Sequence, residues 1–297
     1  MRFASVFITF VAALASLLLI FGCYKEKTAI ENIGGFEDVV QKTESYRKEI
    51  ADLEQQLKDL AVEKTTAQER LNQLQSRENY KTTPTAFLTF DGGFSQNTVD
   101  VIKTLDQYEL KGTFFVAGTN LKNSKSLQAA LKSAWESGHK IGIRSYSDEL
   151  TKIYSSEKAY FDDLYACRDL VKEITGETPV LVRMPGGSAT AQILFERYTG
   201  SKEVFPKVLA RLEAEGFMVN DWSVDTKNAT VSDLDEIVST ALNGSSKTLK
   251  ATYKTCVVLF TDNKRANASL SRIISGLKDQ GYTFATLPTG ICITRQR

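Results

Sequence analysis

From Thr85 onward the chain repeats one pattern: a short apolar run, a longer amphipathic stretch, then another apolar run. The runs stand at 86–90 (AFLTF), 113–116 (TFFV), 140–143 (KIGI), 179–182 (PVLV), 217–224 (FMVNDWSV), 256–260 (CVVLF) and 283–286 (TFAT). Between them lie stretches of helical length such as SLQAALKSAWESG, YFDDLYACRDLVKEITG and SLSRIISGLKDQG, several closed by the glycine that suits a helix C-terminus. Strand, helix, strand in that order demands parallel strands joined by crossover helices, and unbroken apolar strands demand cover on both faces. The expectation is an α/β fold: an irregular (β/α) barrel of about seven parallel strands over residues 84–297, closed or nearly so. An open doubly wound sheet is the alternative.

In barrels of this kind chemistry collects where the strands end. Reading past each run gives Asp91, Arg144, Arg183, Asp225 and the pair Thr261-Asp262, with Asp148 four residues after Arg144. Charged residues that repeatedly close buried strands form a convergent polar cluster. The candidate ligand-binding cleft is Asp91, Arg144, Asp148, Arg183, Trp222, Asp225 and Asp262, with Trp222 offering either a face for a sugar ring or a core side chain. The single histidine, His139, leaves almost no capacity for histidine-based metal binding or acid-base work. Cys23, Cys167, Cys256 and Cys292 include no C-x-x-C pair, so neither a redox motif nor a thiolate zinc site is indicated; among the last three, buried free thiols fit better than one disulfide. With 37 basic against 36 acidic residues, there is no positive excess to hold nucleic acid.

The segments carrying these residues resemble the polysaccharide deacetylases of the NodB-homology type, carbohydrate esterase family four, over about residues 84–297. AFLTFDGG with GTFFVAG, SGHKIGIRSYSDEL, ITGETPVLVRMPGG, DWSVDT, and VVLFTDN with LKDQGYTFATL match the family's motifs in order. The resemblance implies an irregular (β/α) barrel that removes acetyl groups from chitin oligomers, peptidoglycan or other surface glycans with one divalent metal. In the family the first motif reads T-F-D-D-G; Asp91 holds the place of the base, and Gly92 stands where the second Asp binds the metal. The second motif, H-[ST]-x-x-H, supplies two more ligands, at positions occupied here by Arg144 and Asp148. Arg183 keeps the place of the residue that steadies the base, and Gly186 replaces a Tyr whose backbone amide helps hold the oxyanion. Trp222 and Asp225 remain from the fourth motif, Asn228-Ala229 replace an Asp-Trp pair, and Thr261 replaces the histidine acid.

Metal-assisted amide hydrolysis needs an ion with open positions and a proton donor for the leaving amine. Gly92 offers no ligand, Arg144 brings a cation of its own, and a threonine hydroxyl is far too weak an acid. Asp91, Arg183 and Asp225 are therefore expected as remnants of a catalytic set, with no functional catalytic residue and no resident metal or other cofactor. Arg144, with Arg183, is expected to supply positive charge to Asp91 and Asp148. The reading is a pseudoenzyme that binds a cell-surface glycan such as peptidoglycan, or an envelope protein. The alternative is a divergent metal-dependent deacetylase with an all-oxygen site for Mg²⁺, Mn²⁺ or Ca²⁺ built from Asp91, Asp148, Asp225 and Asp262, which two nearby guanidiniums oppose.

Two segments precede the barrel. Residues 4–24, ASVFITFVAALASLLLIFGCY, carry no charge and match the ~20 apolar residues that span a bilayer. Residues 1–27 thus read as an uncleaved signal anchor, which places the chain in the cell membrane as a single-pass protein with its main domain extracytoplasmic. A cleaved signal peptide and a lipoprotein modified at Cys23 are alternatives. Over 36–78, Val39, Thr43, Tyr46, Ile50 and their successors to Leu74 alternate by four and three, the a/d seam of a coiled coil. In a parallel self-pair Glu49 would face Glu54 and Lys42 would face Arg47, so an antiparallel arrangement or another protein suits the seam as well. A plain stalk is the remaining possibility.

Overall fold

The computed structural model describes residues 36–290 and 292–294, so the expected span at 4–24 lies outside the described residues. Among the described residues no helix is long and apolar enough to cross a membrane. The chain divides into two units, Met1–Gln68 and Glu69–Arg297. A single helix, Phe36–Thr82, occupies the described part of the first and runs into the second. It holds no glycine or proline and is rich in Glu, Gln, Lys and Leu, which explains its unbroken 47 residues. Tyr46, Leu53, Leu57 and Leu60 are all more than half exposed along it.

Among the described residues the second unit contains eight strands: β1 (Thr85–Gly93), β2 (Thr113–Ala117), β3 (Lys140–Ser145), β4 (Leu181–Val182), β5 (Met218–Val219), β6 (Val224–Asp225), β7 (Thr255–Thr261) and β8 (Thr283–Ala285). Every pairing is parallel, in the order β5-β4-β3-β2-β1-β7-β6, and β8 pairs with Thr85–Phe87 of β1. Helices such as Gln96–Gln107, Glu157–Thr175 and Lys264–Asp279 cover the outside. Their amino ends are capped by Ser95, Ser156 and Asn263, whose side chains accept the first free N–H groups.

The sheet curls into a half-barrel of the irregular (β/α) type expected, left open between β5 and β6, its two unpaired ends. The run 217–224 is two short strands, not one, parted by Asn220–Ser223. A buried arginine explains the break. Arg183 donates through Nε to the Asn220 carbonyl at 3.0 Å and through Nη2 to the Asp221 carbonyl at 2.7 Å, so those carbonyls face a side chain instead of a neighbouring strand.

Alternation along β1 sorts its residues into two layers. Ala86, Leu88 and Phe90 pack into the large core beneath the helices, while Phe87 packs inside the curl with Phe115, Leu181, Val257 and Leu287. Thr89 and Asp91 follow Phe87 at the same two-residue spacing. His139 lies away from this face: its Nδ1 accepts from the Gly112 amide at 3.0 Å, and burial pulls its pKa down to about 4.

Candidate functional site

The inside of the curl rises in three tiers. At the base the Phe87 cluster takes in Trp222, partly buried among Phe115, Leu181 and Val257. Above it lies Arg183, fully buried, its guanidinium 4.1 Å from the Phe115 ring centre and 5.5 Å from that of Trp222. Its Nη1 donates to Thr89 Oγ1 at 2.9 Å, and that hydroxyl donates onward to the Val258 carbonyl. Burial lowers the Arg183 pKa to about 10, with Asp91 and Asp221 opposing the shift, so it stays charged at neutral pH.

Asp91 tops the stack, two residues above Thr89, and stands in register with Thr261 on β7 and Phe115 on β2. Arg144, at the end of β3, brings Nε to 3.3 Å from Asp91 Oδ1 and pairs through Nη1 with Asp148. One guanidinium therefore bridges two carboxylates. The Asp91 contact is an ion pair without hydrogen-bond alignment, and neither of its two buried atoms has another hydrogen-bond partner. Burial raises the Asp91 pKa above the usual carboxylate value; Arg144, then Arg183, pull the other way. Asp148 is mostly exposed, so its half of the bridge is screened by water.

The other candidates point elsewhere. Asp225, at the end of β6, accepts from the Lys227 amide and pairs with Lys227 Nζ, both at 2.8 Å. Asp262 donates its own amide to the Asp91 carbonyl at 2.9 Å, while its carboxylate hydrogen-bonds Ser95 and Thr98 at a helix start. Trp222 lies in the inner core against Arg183. Of the seven residues chosen from sequence, contact thus joins Asp91, Arg144 and Asp148, with Arg183 and Trp222 stacked beneath.

Two acidic residues not singled out from sequence shape the site. Asp221, fully buried, accepts the Ser188 amide at 3.0 Å at the start of the helix Gly187–Thr199, and its charge raises the proton affinity of Asp91. Asp163 accepts from the amides of Tyr146 and Ser147, shaping the turn that carries Asp148. The only signal for Asp221 was its place in DWSVDT; Asp163 sits in an ordinary helical stretch and gave none.

The residues present do not fit a divalent metal. Gly92, at φ +85°, presents no donor atom. The guanidinium of Arg144 lies against Asp91 and Asp148, where a cation would have to compete with it. Among the described residues no three His, Cys, Asp or Glu side chains converge as a ligand set. At the place of the acid, the Thr261 amide and carbonyl are both held by the Asn228 side chain, at 2.9 and 2.8 Å. At the place of the oxyanion tyrosine, Gly186 adopts φ +81°, and a Cβ there would meet Thr190 Cγ2 at 2.9 Å.

Known proteins resemble this chain in sequence and in fold. The model for polysaccharide deacetylase matches residues 78–199. A peptidoglycan-N-acetylglucosamine deacetylase of Bacillus cereus is 29% identical over 210 residues, 70% of this chain and 71% of that protein. An uncharacterised 30.6 kDa protein of Geobacillus stearothermophilus is 31% identical over 205 residues, 68% of each chain. Among solved structures, the catalytic domain of a peptidoglycan N-acetylglucosamine deacetylase from Eubacterium rectale superposes with a TM-score of 0.63 at 27% identity, covering 72% of this chain and 93% of that one. The parallel half-barrel and its sequence relatives agree, and the chain carries a polysaccharide deacetylase domain of the NodB type.

Proposed function

We propose that this chain is a deacetylase-fold pseudoenzyme of the cell envelope. It binds a surface glycan of the peptidoglycan class without hydrolysing it, and its apolar amino-terminal segment holds it in the membrane with the NodB-type domain outside. The Arg144 bridge supports this most directly: a fixed guanidinium neutralises the carboxylates that a catalytic cation would otherwise need. The relatives named as peptidoglycan-N-acetylglucosamine deacetylases supply the substrate class. The long helix with its exposed a/d seam serves as the spacer and association element of the same protein.

Calorimetry on the metal-free chain tests the reading. Zn²⁺, Co²⁺, Mn²⁺ and Mg²⁺ are expected to give no binding heat at micromolar protein, while insoluble peptidoglycan retains the chain in a pull-down. The variant Gly92→Asp/Arg144→His/Asp148→His is expected to gain Zn²⁺ binding, since it removes the guanidinium and returns an oxygen and two imidazoles. Stoichiometric metal binding by the parent with acetate release from acetylated glycan would overturn the proposal in favour of an active hydrolase.

A further inference from the structure

The exposed seam on the helix Phe36–Thr82 carries an inference independent of what the NodB-type domain binds. We infer that residues 39–64 pair with the same segment of a second copy of this chain in antiparallel orientation, with Ile50 of each copy packed on Leu53 of the other. With Thr43, Ile50, Leu57 and Lys64 at a positions, and Val39, Tyr46, Leu53 and Leu60 at d positions, an antiparallel pair packs each a against a d of the other copy. In this register Tyr46 covers Leu57 and Thr43 covers Leu60, so the seam side chains more than half exposed within residues 39–64, Tyr46, Leu53, Leu57 and Leu60, all become covered.

Charge on the flanks selects the orientation and the register. In an antiparallel pair, g positions face g and e positions face e. The proposed register sets Lys42 against Glu63 and Arg47 against Glu54, each twice by symmetry, and brings no like charges together. A shift of one heptad one way sets Glu54 on Glu54 and Glu49 on Glu63; the other way it sets Arg47 on Arg47 and Glu49 on Glu49. Parallel pairing in register sets Glu49 on Glu54 and Lys42 on Arg47, both repulsive. All the paired residues lie within the unit that ends at Gln68.

Charge exchange on the full chain distinguishes the arrangements. Sedimentation equilibrium in density-matched detergent at low salt should show a reversible dimer. Arg47→Glu and Glu54→Arg, made singly, each turn two attractive cross-chain pairs into repulsive ones and should raise the dimer dissociation constant about tenfold. The double exchange should return it to within about threefold of the parent. That recovery cannot come from within one helix, since the double variant loses both the Glu44–Arg47 and the Glu54–Lys58 neighbours. In a parallel dimer the single exchanges would relieve repulsion and tighten association. Tightening, indifference to all three variants, or a monomer throughout would each overturn the inference, the last assigning the seam to a different protein.

Discussion

At Asp91 two forces act in opposite directions. Burial raises its proton affinity and the Arg144 guanidinium lowers it, with burial the larger. A carboxylate whose pKa is raised on folding contributes most below its ordinary value near 4, and that contribution is lost as pH rises through the folded-state value. Asp91→Asn carries no such loss. Its stability relative to the parent is expected to improve between about pH 4 and pH 8, measured by chemical denaturation at both; a difference that stayed constant with pH would show that burial does not govern this group. Arg144→Ala strands Asp91 in the curl without its nearest cation and should cost about 2 kcal/mol. Asp148→Ala removes only the exposed half of the bridge and should cost less than about 0.5 kcal/mol. Equal melting temperatures for the two variants would show that Arg144 does not compensate the buried carboxylate.

Among the elements, the gap between β5 and β6 depends on Arg183. Its donors reach Asn220, Asp221 and Thr89 at once, so one side chain links the ends of the sheet to β1. Arg183→Met keeps much of the length but leaves two buried carbonyls unmet, and should lower stability by about 3–5 kcal/mol in denaturant titrations. A loss under about 1 kcal/mol would mean that water serves those carbonyls equally well. Most of these elements could be read from the sequence because apolar runs and capped amphipathic stretches carry their own periodicity. The division of 217–224 could not. Asn220 and Asp221 sit inside an apolar run, and only the partner arriving from β4 explains why the chain stops pairing there. The site shows the same limit: strand ends marked Asp91, Arg144 and Arg183, whereas the orientation of Asp225 toward Lys227 and of Asp262 toward Ser95 depends on loop geometry that composition does not encode.

For the molecule as a whole, the sequence divides its tasks along the chain. The half-barrel and the position of its mouth rest on the residues from Thr85 onward, where most of the family match also lies; the heptad register belongs to the long helix before them. Self-pairing, envelope placement and glycan binding are separable proposals, and failure of one leaves the others standing. The turn at Gly92 occupies the position where the resemblance to the family implies a metal-binding aspartate. A side chain there would meet nothing within 4 Å, so space does not bar a carboxylate. The main chain does resist it: φ of +85° suits glycine and costs an L-residue about 1 kcal/mol or more. Positions 144 and 148 can exchange side chains in place, whereas position 92 must either carry strain or rebuild its turn. Glycine at this position is therefore held as a latch would hold it, by the backbone conformation of the turn and not by the space around it.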